Sequence, residues 1–255
     1  MYYPVQIPFV LNEAFSKTVR YSEEIIPSLQ DFVICLWEMQ PLLNVEKTVE
    51  NIIITDGCID IVAEYGEKII GFAGMSKTDK CSFPPSCSLG ARFKPGAFHA
   101  ITNIPANEAM DNFLPINNFD KNFDVDFFFS LDLAEAKKFL INYIENLIKN
   151  KNTNKFIELF DKLNDNIPES ATEIFDEMCY SPRQCQRHFQ KNYGLSPQMV
   201  LCILRFQKCL KNIISQKNSK SVMDISNYYD QSHFINDFKR NIGLTPLELL
   251  RKYSA

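Results

Sequence analysis

Arg183, Gln184, Gln186 and Arg187 crowd guanidinium and carboxamide side chains into a few consecutive positions. Each presents paired hydrogen-bonding atoms at a fixed spacing. An arginine fork matches O6 and N7 of guanine, and a glutamine carboxamide matches N6 and N7 of adenine. A second polar set, Gln231, Ser232, His233 and Asn236, lies further along the chain. Lys191, Lys239 and Arg240 stand beside these sets, where their charges suit phosphate contacts and would impose a salt dependence. The chemistry these residue types could do is the reading of double-stranded DNA.

The elements that must position them come in two near-copies. Residues 189–197 (Phe-Gln-Lys-Asn-Tyr-Gly-Leu-Ser-Pro) and 238–246 (Phe-Lys-Arg-Asn-Ile-Gly-Leu-Thr-Pro) align without a gap. Similarity at a fixed offset sets the architecture before any single motif does. Gly194 and Gly243 fall where a helix end needs a positive φ. Ser196 and Thr245 are good N-caps, and Pro197 and Pro246 suit a first helical position. Ser181-Pro182 repeats that signature, and Asp230 precedes Phe234 and Phe238, which share one helical face. Each copy therefore predicts a helix, a tight turn and a second helix that carries a polar set, a helix-turn-helix. Helices are expected over 156–163, 168–178, 182–193 and 197–214, from 221, over 231–241 and over 246–253. The long helix from Pro197 joins the two units.

The first part of the chain has a different texture. Six of the eight glycines lie between 57 and 96. Two β-branched runs, 49–54 and 58–65, flank Asp56-Gly57, which predicts a hairpin. Residues 65–68 predict a second turn before a strand at 69–73, and 89–96 reads as a further strand and turn. Residues 1–115 are thus mostly strand, a sandwich or small barrel able to enclose a pocket. Trp37, Phe93 and Phe98 would line that pocket or simply fill the core. Asp56, Asp60 and Arg92 would form a buried ion pair or meet a ligand. The ligand-contact candidates are Trp37, Arg92 and Phe98. From about 131 the period becomes helical, with Ala134, Phe139, Leu140, Tyr143, Ile144, Leu147 and Ile148 on one stripe, either a dimer seam or ordinary core. Residues 149–155 carry no apolar side chain and read as a linker. The expected division is 1–150, a β-rich sensor or dimerisation domain ending in that helix, and 155–255, an all-α domain, α+β overall.

Charge supports the division. The 255-residue chain carries a formal −4, yet residues 1–152 hold 13 basic and 20 acidic side chains, while 180–255 hold 12 and 4. A basic half beside an acidic half fits a nucleic-acid module joined to something else. Eight cysteines include no Cys-x-x-Cys pair, which argues against a zinc ribbon and fits cytosolic thiols. Cys185 and Cys209 take apolar helix positions, while Cys81 and Cys87 could pair or bind metal. Three histidines, with only His99 in the first half, supply no catalytic metal cluster, so no metal, cofactor or catalytic residue is expected. No run approaches the ~18 apolar residues of a membrane span. The N-terminus lacks a secretory pattern, so the expected location is the cytoplasm.

The C-terminal residues resemble the DNA-binding domain of the AraC/XylS family of bacterial transcription regulators. Ser181, Arg183, Arg187, Phe189, Gly194, Ser196 and Pro197 fit the first unit. Val222, 230–234 (Asp-Gln-Ser-His-Phe), 238–240, Gly243, Thr245 and Pro246 fit the second. Residues 56–60 and 90–96 are similar to a sensor-like, cupin-like domain found ahead of this module. The resemblance implies a sequence-specific activator or repressor, with RNA polymerase and double-stranded DNA as partners, a small-molecule effector and a homodimer as further expectations. It departs at Asn227 for a turn glycine, at Phe175 and Met223 for small alanines, at Cys185 for a leucine and at Asn236 for an arginine. Readings that stay open are an N-terminal part that only dimerises and a protein-interaction module with a degenerate helix-turn-helix.

Overall fold

Along Ile59–Glu64 and Ser88–Phe93, apolar residues alternate with polar or small ones. A period of two gives a strand two unlike faces. In the computed structural model of the chain, residues 1–5, 18–42, 49–83 and 86–216 are described, with positions 235, 236, 238, 239, 245 and 248 beyond them. The strands are β1 (Val19–Glu24), β2 (Val33–Pro41), β3 (Val49–Ile53), β4 (Ile59–Glu64), β5 (Ile69–Gly74), β6 (Asp79–Phe83), β7 (Ser88–Phe93) and β8 (Asn112–Pro115). Six form one antiparallel sheet in the order β1-β2-β7-β4-β5-β8, and β3 pairs with β6 in a second.

The hairpin expected at Asp56-Gly57 is absent. Its two flanking strands belong to different sheets, because β3 takes β6 as partner while β4 lies between β5 and β7. Asp56 turns its carboxylate inward and accepts the Cys58 N–H at 2.8 Å. Gly57 then adopts φ +76°, packed against Phe160 and Leu195. The corner sends the chain from one sheet to the other. The second expected turn does form, joining β4 to β5 with Glu64 opposite Ile69.

Register assigns the two faces of the large sheet. Across β2, β7, β4 and β5, one row runs Cys35–Arg92–Asp60–Ala73 and the next Trp37–Gly90–Val62–Gly71. A Cβ at Gly90 would lie 2.4 Å from the Trp37 ring, so only glycine lets that indole lie across the sheet. The opposite face carries Ile59, Ile61, Ala63, Phe72, Leu89, Ala91 and Phe93, all buried. Helices α1 (Ala97–Thr102), α2 (Ile116–Phe119) and α3 (Val125–Ser130), none expected from sequence, follow β7 and β8. Helix α4 (Leu133–Ile148) opens with a capping box between Asp132 and Glu135. Leu140 and Ile144 of the expected stripe are buried together with Ala136, Ala134 is exposed instead, and Phe139 packs on Phe123 and Phe128. The stripe is therefore spent on this chain's own core.

The linker is followed by α5 (Lys155–Asp165), capped by Asn154. Helix α6 (Ala171–Met178) starts later than Pro168, because Ser170 and Glu173 form its capping box. Then come α7 (Pro182–Tyr193) and α8 (Pro197–Gln216). One buried core runs from Tyr2 through the sheet to Leu204 of α8. Cys87 is a free thiol, so it does not make the pairing with Cys81 that the spacing would allow; the Cys81 side chain lies outside the described residues.

Candidate functional site

Helix α7 is built to show one face and bury the other. Ser181 Oγ accepts the Gln184 N–H at 3.3 Å, and Gln184 Oε1 accepts the Ser181 N–H at 3.0 Å, a reciprocal cap. Gly194, at φ 71°, ends the helix in the left-handed region. Cys185, Phe189 and Tyr193 recur every fourth residue and are buried. Cys185 fills the place expected of it as a small hydrophobe, and burial pushes its thiol up to about 11. On the other face Arg183, Gln184, Gln186, Arg187 and Lys191 are all exposed. Gln184 differs from its expected role in one respect: its carbonyl oxygen is committed to the cap.

Neighbouring contacts fix the helix's pose. The Tyr193 hydroxyl donates to the Phe156 carbonyl at 2.6 Å. His188 stacks between Tyr180 and Phe156, at 4.8 and 5.5 Å between ring centroids, at the edge of the core. The Arg205 guanidinium of α8 donates to the Pro168 and Glu169 carbonyls, each at 2.7 Å, and so ties α8 to the approach to α6. Phe175, in place of a small residue, is half-buried against the core. Beyond α8, Asn236 and Lys239 take helical, exposed positions, and Phe238 between them is buried on Phe206. Thr245 caps as expected, accepting the Glu248 N–H at 3.3 Å. Gln231, Ser232, His233 and Arg240, and the departures Met223 and Asn227, lie outside the described residues.

The sheet supplies a second feature, a cavity of about 240 Å³ on the Trp37 face. Trp37, Met39, Ile53, Ile54, Val62 and Phe113 make much of its wall, and Asp56, Asp60 and Glu64 supply its carboxylates. Trp37 Nε1 donates to Asp60 Oδ2 at 2.7 Å. Behind this wall Arg92, 4% exposed, donates to Glu23 at 2.8 Å, and its Nε lies 3.5 Å from Asp56 and 3.6 Å from Asp60. Burial pushes the Asp60 carboxyl up to about 7 despite the pull of Arg92, with Asp56 adding to the rise. Burial also raises Glu64, partly offset by the hydroxyls of Ser88 and Ser86. At Glu23 burial would raise the carboxyl, but Arg92 and the Tyr21 and Tyr3 hydroxyls outweigh it and hold it low.

Of the three ligand-contact candidates, Trp37 alone lines this cavity. Arg92 lies in the ion cluster behind it, so the expected ion pair with Asp56 and Asp60 forms, with Glu23 as an added member. Phe98 takes the other reading given to it, that of filling the core. It sits in α1 on the other face of the sheet, 5.1 Å from the Phe72 ring, and Phe93 packs on Phe72 there too. Sequence reasoning missed Glu64, although its alternation with Asp60 along β4 was the signal. It also missed Glu23, for which no local signal existed. Among the described residues no cluster of histidine, cysteine and carboxylate side chains could hold a metal. No described helix is long and apolar enough to cross a membrane.

Comparison with known proteins matches two stretches. A family described as a helix-turn-helix domain matches residues 174–252, and a domain of unknown function matches 25–115. A search of the curated proteins found no match. Among solved structures, ToxT from Vibrio cholerae is similar at 11% identity and a TM-score of 0.41, over 92% of this chain and 96% of that one. ToxT from the same organism with an unsaturated fatty acid bound is similar at 11% identity and a TM-score of 0.38, over 91% and 93%.

Proposed function

We propose that this chain, which carries an AraC-type helix-turn-helix domain over residues 174–252, is a ligand-responsive transcription regulator that reads two successive major-groove segments. The observation that carries the reading is α7. Its apolar side is buried, its first turn is capped, and Arg183, Gln184, Gln186, Arg187 and Lys191 face solvent together. In this reading Arg183, Gln186 and Arg187 contact base edges, and Gln184 contributes only its amide nitrogen. Lys191 meets phosphate. Gln231, Ser232, His233 and Asn236 take the matching role in the second unit, with Lys239 and Arg240 on phosphates. Two units in one chain would read an asymmetric site with centres about one helical turn apart. Residues 155–255 form the DNA-binding domain, and 1–150 form the domain that senses. The cavity on the sheet favours sensing over an N-terminal part that only dimerises. RNA polymerase and a second copy of the chain remain the expected protein partners.

Binding of the full chain to a genomic fragment library at two salt concentrations, with the bound fragments sequenced, tests this. The expected result is one enriched motif with two half-sites about 10 base pairs apart, weakening as salt rises. Enrichment with no common motif, or binding indifferent to salt, would count against it.

A further inference from the structure

We propose that the cavity is an effector site for a small apolar molecule bearing a protonated amine, received by Asp60 and Glu64 on a seat of Trp37 and Met39. The proposal rests on the sensing role given to this part of the chain, and it names the chemistry that would be sensed.

Sheet register makes the argument. Residues 60, 62 and 64 of β4 point to the face that a simple alternation would give to solvent. Here that face is half-buried, and its carboxylates line a partly open cavity of about 240 Å³. That is below the roughly 300–1,000 Å³ of drug-sized sites, so the occupant is small. Its walls are otherwise aliphatic, aromatic or thioether. Charged side chains reaching the cavity among the described residues are Asp56, Asp60 and Glu64, all acidic.

One buried guanidinium, that of Arg92, faces three of the nearby carboxylates, Glu23, Asp56 and Asp60. Its hydrogen bonds go to Glu23, the Tyr21 hydroxyl and Cys35 Sγ, none of which lines the cavity, and Glu64 is met by hydroxyls. Buried carboxylates in such excess favour a cation over an anion or a neutral group. Trp37 fixes Asp60 through Oδ2, and Oδ1 takes no hydrogen bond from any described residue. The raised Asp60 carboxyl agrees with the geometry, since an arriving cation would draw its proton off.

The chain contains a single tryptophan, and it is the one in the cavity wall, so its fluorescence reports occupancy directly. The probes are 2-phenylethylamine, 2-phenylethanol and 3-phenylpropionate, matched in body and different in charge. They are titrated into the full-length chain at about pH 8, where the amine is still protonated, with calorimetry alongside. The amine should bind at least about tenfold tighter than the alcohol, and the carboxylate should not bind. Asp60→Asn keeps the shape and an acceptor for Trp37, and it should bring the amine down to the alcohol's affinity. Glu64→Gln gives a second charge variant if Asp60→Asn fails to fold. Val62→Phe, or the milder Ala73→Val, should abolish binding of both amine and alcohol. The proposal is overturned by a carboxylate that binds as well as the amine, by an amine indifferent to both charge variants, by binding that survives the filled cavity, or by no saturable signal with any probe. The same preparations are tested for DNA binding. Amine binding without DNA binding sinks the regulator reading and keeps the site, and the converse sinks the site alone.

Discussion

At Asp60 the penalty of burial exceeds the attraction of Arg92, so the carboxyl holds its proton up to about pH 7 against an ordinary 3.8. Arg92, Asp56 and Glu23 are the charged groups that face it. Between those pH values the folded chain binds more proton here than the unfolded chain does. Linkage then makes this group's contribution to stability fall as pH rises through the window, reaching its lowest level above pH 7. Asp60→Asn removes the titration. Its melting temperature should exceed that of the parent at about pH 8, and the gap should close toward pH 5; a gap equal at both would mean that Asp60 ionises freely. Arg187 belongs to the opposite regime, exposed and without a buried partner to lose. Arg187→Ala should leave melting unchanged and weaken binding to the selected operator roughly tenfold, with the preference at one base position relaxed. Unchanged operator affinity would mean that α7 does not dock by this face.

Among the elements, α7 and the β3–β4 corner show what was legible and what was not. Cap, apolar spacing and terminal glycine all lie within residues 181–194, so local chemistry alone bounds α7, and the expected range of 182–193 matches the helix observed. At Asp56-Gly57 the local signal pointed to a hairpin, but strand partners are chosen across the sheet. Only the pairings of β3 with β6 and of β4 with β7 decide that the chain turns a corner there. The same limit hid the cavity. Alternation along β4 placed Asp60 and Glu64 on one face, but nothing local says whether such a face meets water or lines a cavity. The position of Phe98 was hidden for a related reason, since the short helix that carries it starts just after Gly96 at φ +89°, where the sequence reads only as a turn. The cap of α7 gives the prediction at this scale. Ser181→Ala loses the hydroxyl half of the capping box, leaving only the backbone N–H to Gln184 Oε1, and should lower stability by about 1 kcal/mol. It should also weaken operator binding, because the first turn carries Arg183 and Gln184. Restoration of both by Ser181→Asp, an equally good cap, would separate capping from any direct contact of the serine with DNA.

Across the whole molecule, Gln207 joins three regions that are far apart in sequence. It is 1% exposed on α8. Its Oε1 accepts the Val5 N–H at 2.8 Å, and its Nε2 donates to the Thr55 carbonyl at 2.9 Å. One residue further, the Asp56 carbonyl accepts the Tyr2 hydroxyl at 2.7 Å, while the Tyr2 N–H donates to Asp161 of α5 at 2.6 Å. Residues 54, 56 and 58 are also part of the cavity wall. The wall, the N-terminal residues and the long helix that follows α7 therefore share one buried hydrogen-bond network, and disturbance at one end has a short physical route to the other. Gln207→Ala leaves the Thr55 carbonyl and the Val5 amide without this partner, at a cost of about 1–3 kcal/mol. Hydrogen exchange gives the sharper readout. If the network is one cooperative unit, amides at 54–58 and in the middle of α8 should lose protection together in the variant. Faster exchange in α8 with 54–58 unchanged would show the two as neighbours only, and a signal from the cavity would then need another path to the helices proposed to read DNA.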